Sequence, residues 1–186
     1  MYKRQLLVTV ARLAEQKGLP TLLDAVAQLT DLPIRAVVAG DGPLRAGLES
    51  DIAGRALPVH LLGRRDDIAD LLAAADVVVV PSLWEGQPLI VQEALAAGAA
   101  IVATDAGGTG EVAGDAAVLV PAQDPVALVV AVRGLIEDPA RRAVLQDRAR
   151  RRAVGLPTDA DALEQVIAVY RGLKADSLES RGAADI

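Results

Sequence analysis

The sequence predicts an α/β protein: a Rossmann-like, doubly wound, six-stranded parallel sheet followed by C-terminal helices. Three observations carry this. Short β-branched runs alternate with helical patterns as far as Pro121, those runs are apolar at nearly every position, and no further strand follows them. Parallel strands read as continuous Val, Ile and Leu because right-handed crossovers place helices on both faces of the sheet. The 186 residues are 52% hydrophobic, yet aromatics make up only 2% and Phe is absent, so Ala, Val and Leu have to fill the core.

The predicted strands are QLLVTV (Gln5 to Val10), IRAVVAG (Ile34 to Gly40), PVHLLG (Pro58 to Gly63), DVVVVP (Asp76 to Pro81), AAIVAT (Ala99 to Thr104) and AAVLVP (Ala116 to Pro121). Between them LPTLLDAVAQL, GPLRAGLESDIAG, DIADLLAAA, PLIVQEALAAG and the GGTGEV region supply helices or helical turns. After Pro121, three helices follow in DPVALVVAVRGLIED, DPARRAVLQDRARRRAVG and TDADALEQVIAVYRGLK. Asp124, Asp138 and Thr158 are suited to cap them, with Pro125 and Pro139 at first helical positions. One domain is expected over residues 1–174, with a polar, disordered tail over 175–186. No internal repeat or composition shift marks a second domain.

Composition removes several classes of function. There is no Cys for disulfides or thiolate metal sites, and a single His leaves little for zinc. His60 lies among apolar neighbours and reads as an ordinary strand residue. A net charge of −6 argues against a nonspecific nucleic-acid binder. No run of about eighteen residues is apolar and uncharged, so neither a membrane span nor a signal peptide is predicted. A cytoplasmic protein is expected, with peripheral attachment to a membrane as the alternative. Nothing in the sequence selects an oligomeric state.

In an open parallel sheet, ligands collect outside the carboxyl ends of the strands. After the first strand, ARLAEQKGL carries Arg12 and Lys17 into a helix. Two cations beside a helix N-terminus suit a diphosphate, and a solvated basic loop is the alternative. The loop lacks G-x-G-x-x-G, which counts against a dinucleotide-dependent dehydrogenase. After the second strand, Gly40 and Gly42 fit either a tight turn or the approach of a ligand to the backbone. After the third, the backbone at Gly63 and Arg64 suits the border of a nucleobase, and Asp66 and Asp67 suit helix capping better than metal binding. Asp159 and Asp161 spell D-x-D, but they open a late helix and follow no strand, so capping is again the better account.

The fourth strand leads into SLWEGQPLIVQEALAAG. Pro88 suits the first position of a helix, which leaves the amides of Leu89 and Ile90 free for an anion or a sugar oxygen. Glu85 lies just before that helix. Glu93 falls on the stripe formed with Leu89, Ile90, Ala96 and Ala97, and a carboxylate buried there would need hydroxyl or amide partners. The alternative is a helix rotated so that Glu93 faces water. Gly107 and Gly108 after the fifth strand suit either a turn or close approach by a substrate.

Taken in order, ARLAEQKG, VVAGDGPLR, the segment from LLGRRDDIADLL to TDAGGTGEV, and AAVLVPAQDPVALVVAV resemble the C-terminal half of retaining glycosyltransferase family 4, of the GT-B fold. The resemblance spans roughly residues 6–147, and its most specific motif is the E-x7-E pair of Glu85 and Glu93. It implies a nucleotide-diphosphate sugar as donor, transferred with retention, without a required metal or other cofactor. Arg12 and Lys17 would hold the diphosphate and steady the departing nucleotide, and Glu85 would take hydroxyls of the sugar. The backbone of Gly86, Gln87, Pro88 and Leu89 would meet sugar and phosphate, Glu93 the ribose, and Gly63 and Arg64 the base.

Two departures accompany the resemblance. Gln87 stands where the family usually has an aromatic, and the acceptor-binding N-terminal domain of the family is absent from this chain. The chain is therefore expected to be a donor-binding half, inactive alone, whose final helix over residues 159–173 packs against the other half. A nucleotide-sugar epimerase half-domain and a noncatalytic nucleotide-sugar-binding module are the alternatives.

Overall fold

The computed structural model describes residues 4–157 and 159–182. They form two compact units, Met1–Val154 and Gly155–Ile186. In the first, strands β1 (Gln5–Val10), β2 (Ile34–Ala39), β3 (Val59–Gly63), β4 (Val77–Val80), β5 (Ile101–Thr104) and β6 (Ala117–Val120) alternate with α1 (Leu19–Ala27), α2 (Arg45–Gly54), α3 (Ile68–Ala74), α4 (Leu89–Ala96) and α5 (Thr109–Ala113). Helices α6 (Pro125–Glu137) and α7 (Pro139–Val154) complete it. The second unit carries α8 (Asp159–Gly182).

All six strands pair in parallel, in the order β3-β2-β1-β4-β5-β6. The fold class is the one the alternating pattern predicts. Strand order reverses between β1 and β4, so their carboxyl ends border the crevice where open α/β sheets bind ligands.

Side chains alternate between the faces of the sheet. Leu7, Val77, Val79 and Val102 join Leu19, Leu23, Val26, Leu128, Val132 and Leu135 in one core, built where α1 and α6 pack together. Val8, Val78 and Ile101 are equally buried and alternate to the opposite face, where α3 touches β1 and α4 touches β5. Each such aliphatic side chain contributes about 1.5–3 kcal/mol on burial, so a core without Phe is sustained by number.

Asp124 and Asp138 cap as expected, accepting from the amides of Ala127 and Arg141 at 2.9 Å. Thr158 lies outside the described residues. Helix α8 begins at Asp159 and runs to Gly182, so the boundary expected at residue 174 falls inside it. The segment ADSLES contains Ala, Leu and Glu and no proline, which lets the helix continue through a stretch expected to be unstructured. Within its own unit, α8 leaves Leu163, Val166, Val169 and Tyr170 exposed.

Candidate functional site

The loops at the carboxyl edge lean on one another through backbone, and glycine is what lets them. A β-carbon on Gly40 or Gly42 would lie 1.9 or 2.5 Å from the carbonyl oxygen of Ala11 or Leu13, so the loop after β2 rests on the loop after β1. Gly18, at φ +59°, brings the end of the β1 loop against the carbonyl of Pro81. Gly107, at φ +55°, and Gly108 bring the β5 loop against the carbonyls of Glu85 and Gly86. Gly40, Gly42, Gly107 and Gly108 were expected to serve a turn or the approach of a ligand. Their close neighbour is instead the backbone of the adjacent loop, a contact between segments far apart in sequence.

Across the crevice, Lys17 Nζ meets Glu85 Oε1 at 2.5 Å. The Glu85 side chain is 6% exposed and that of Lys17 22%. Ser82 Oγ donates to the same Oε1 at 2.7 Å, and the buried hydroxyl of Thr104 donates to the carbonyl of Ser82. A carboxylate this deeply buried is costly unless charge and hydrogen bonds compensate it, and Lys17 and Ser82 do both. Among the described residues Oε2 receives no hydrogen bond, so it is available to a ligand hydroxyl.

Lys17 is held from both sides. It lies in a short 3-10 turn, Glu15–Lys17, that ends at Gly18. On one side Gln16 O accepts from Leu83 N at 2.7 Å while Gln16 Nε2 donates to Trp84 O at 3.0 Å. On the other, Gly18 packs on Pro81. The Trp84 indole itself is exposed.

Arg12 stands apart from this pair. It lines a cavity of about 1020 Å3 over the ends of β1, β2 and β3, with Gly40, Gly42, Arg64, Arg65 and Asp66 among its walls. Among the described residues the Arg12 and Arg64 side chains have neither hydrogen-bond nor ion-pair partners, so two uncompensated cations face the space. Arg65 is occupied by Asp67, at 2.8 Å from Nε to Oδ1. That hydrogen bond holds the Asp67 carboxyl below the usual carboxylate range and raises Arg65. Asp67 therefore caps α3 only through its carbonyl, to Leu71 N, because its side chain is taken. The carbonyl of Gly63 is also taken, by Gly40 N at 2.8 Å, which leaves Arg64 as the residue of that pair facing the cavity.

Glu93 is exposed, so of the two orientations open to it the helix takes the one that turns it to water. Helix α4 buries Val91, Ala94 and Leu95 against the sheet, which turns the stripe of Leu89, Ala96 and Glu93 outward. There Glu93 lines a second cavity of about 670 Å3 with Ala96, Ala97 and residues of α3. Asp66 and Ile68 line both cavities, so Arg12, Arg64 and Glu93 border adjoining spaces. Pro88 is the N-cap of α4 rather than its first residue, and its carbonyl accepts from Val91 N at 2.9 Å. The amides of Leu89 and Ile90 remain free of the helical ladder. Gly86 and Gln87 are exposed, and a β-carbon on Gly86 would meet nothing within 4 Å.

Two contributors carried no signal in the sequence. One is Gln16. The other is Arg152 at the end of α7, which donates to the carbonyls of Val112 at 3.0 Å and Glu111 at 2.6 Å, securing the end of α5. Among the described residues no group of three or more His, Cys, Asp or Glu is arranged to hold a metal, and no helix is long and apolar enough to cross a membrane.

Residues 4–138 match the family described as Glycosyl transferases group 1. The chain is 36% identical over 182 residues to D-inositol 3-phosphate glycosyltransferase 1 of Catenulispora acidiphila, covering 89% of this chain and 43% of that protein. It is 37% identical over 154 residues to a GDP-mannose-dependent alpha-(1-6)-phosphatidylinositol dimannoside mannosyltransferase of Mycobacterium tuberculosis, covering 80% of this chain and 39% of the relative. Among solved structures, the UDP complex of Anabaena Alr3699/HepE superposes with a TM-score of 0.80 at 28% identity, over 90% of this chain and 48% of the other. The chain thus spans less than half the length of these relatives, and its Rossmann-like sheet matches part of GT-B glycosyltransferase structures. On the family match and the near-complete coverage by these relatives, the chain belongs to the group 1 glycosyltransferases.

Proposed function

We propose that this chain binds the nucleotide-diphosphate sugar donor of a retaining glycosyltransferase, with acceptor contacts supplied from outside these residues. The observation that carries the reading is the Lys17–Glu85 pair at the reversal of strand order, together with a cavity lined by Arg12 and Arg64, whose side chains have no partner among the described residues. Lys17 and Arg12 hold the diphosphate, and their charge stabilises the leaving nucleotide as the glycosidic bond breaks. Glu85 accepts hydroxyls of the donor sugar through its free oxygen. The amides at the start of α4 face phosphate or sugar oxygens, with Gly86, Gln87 and Pro88 forming the loop that presents them. Glu93 accepts the ribose hydroxyls, and the backbone around Gly63 and Arg64 borders the base. No step is assigned to a metal, since two cations and a helix terminus supply the countercharge.

Among proteins similar to this chain, the name of one carries GDP-mannose and the complex of another carries UDP, so resemblance does not choose the base. Calorimetric titration of the 186-residue chain with UDP, GDP and ADP tests the reading. Binding of at least one is expected, at weak affinity. If the folded protein binds none at millimolar concentration, the donor-binding function is wrong. Lys17→Ala should weaken the nucleoside diphosphate far more than the nucleoside; equal losses would remove Lys17 from the phosphate site.

A further inference from the structure

We propose that Gln16 is a positioning residue that sets the register of Lys17 against Glu85, and with it the affinity for a diphosphate. The proposal rests on the donor-binding reading above. Its basis is that the two residues flanking Lys17 are both tied to the loop that carries Glu85. Gln16 makes two bonds to that loop, its carbonyl accepting from Leu83 N at 2.7 Å and its amide donating to Trp84 O at 3.0 Å. Gly18 has its α-carbon pressed on Pro81 O, with φ at +59°. Lys17 is therefore strapped in place over residues 81–84 before its side chain reaches Glu85.

The chemistry of the strap asks for a side-chain amide. A carbonyl oxygen such as that of Trp84 needs a donor. A carboxylate in place of the Gln16 amide would set an acceptor against the Trp84 carbonyl and add an anion one residue from the lysine. An apolar side chain of the same length would leave the Leu83 bond, which is backbone to backbone, and lose the Trp84 bond. A lysine reaching a phosphate from a loosened turn must fix its own backbone on binding, and that ordering subtracts from affinity. Gln16 supplies part of that fixing before ligand arrives, from a position outside the proposed phosphate and sugar contacts.

The test is a double-mutant cycle on the 186-residue chain, with Gln16→Met, Lys17→Met and the pair, read as affinity for whichever of UDP, GDP or ADP the wild type binds best. Amide hydrogen exchange of Leu83 and Gly108 is followed alongside, with Val8 as the core reference. Gln16→Met is expected to weaken binding about tenfold with Lys17 present and less than twofold when Lys17 is already Met. Exchange of Leu83 and Gly108 should accelerate while Val8 is unchanged. If wild type binds but the losses are independent of Lys17, or Gln16→Met binds as wild type does, the positioning role is overturned and the donor reading stands. If wild type binds none of the three, both fall together, and the wild-type titration itself separates that result from the first.

Discussion

The carbonyl oxygen of Glu85 lies where the β-carbon of any residue replacing Gly107 would have to be, 1.8 Å away. The loop after β5 therefore touches the loop carrying the central carboxylate, an approach reinforced by the bond from Gly108 N to Glu85 O at 3.2 Å. Gly107→Ala is expected to destabilise the protein by about 1–3 kcal/mol, since φ there is positive as well as crowded. Gly86→Ala, in open space, should unfold as wild type does. Thermal unfolding of the two variants side by side checks the contrast.

Removing Lys17 leaves a carboxylate that is 6% exposed with only Ser82 for compensation. Lys17→Met should cost about 1–3 kcal/mol, and Glu85→Gln added to it should recover part of that loss because the uncompensated charge is gone. Urea denaturation of wild type, both single variants and the double variant measures the coupling.

Among the described residues the Arg12 side chain has no partner to lose, so its replacement is expected to act on ligand rather than on the fold. Arg12→Gln is expected to leave the unfolding transition within about 0.5 kcal/mol of wild type. It should weaken a bound nucleoside diphosphate several-fold and flatten the dependence of that binding on salt. Titrations at low and high ionic strength distinguish this from a general loss of fold.

Arg152 secures the end of α5 by bonds to two carbonyls of its last turn. Arg152→Ala should cost about 1–2 kcal/mol and speed amide exchange within residues 109–113 before it speeds exchange in the sheet. Uniform acceleration across sheet and helix would contradict the local role.

Asp31 is held below the usual 3.8 by its hydrogen bonds to Arg133, and Asp67 by those to Arg65. A carboxyl depressed in the folded state contributes stability above its unfolded pKa and loses it as pH falls through the folded one. Arg133→Gln should therefore melt below wild type at neutral pH, with the gap closing as the solution is acidified below the usual carboxylate pKa. Melting temperatures across the acid range test this, and a constant gap would rule the linkage out.

The sheet was legible because every strand carries its own signal. Val77–Val80 is four consecutive valines, and a strand buried on both faces has little other choice of residue. Lys17 and Glu85 stand in the loops after β1 and β4, which the sequence pattern alone allows one to read, and the order of the strands makes those loops neighbours. What the sequence does not carry is which face of a helix meets the sheet. Around α4 apolar residues occur on nearly every side, so Leu89 and Ile90 were as eligible for burial as Val91 and Leu95, and the orientation of Glu93 stayed open. Gln16 was invisible for another reason. Its partners are the backbone of Leu83 and Trp84, and a bond to backbone leaves no mark on the identity of the residue that accepts it.

The missing β-carbons at Gly18, Gly40, Gly42, Gly107 and Gly108 make the loops after β1, β2, β4 and β5 a shared structure in which none of the four has an independent outline. A transplanted loop would bring a contour fitted to its former neighbour. Redesign of selectivity should therefore exchange adjoining loops together, glycines included, treating the whole rim as the smallest unit that can be swapped.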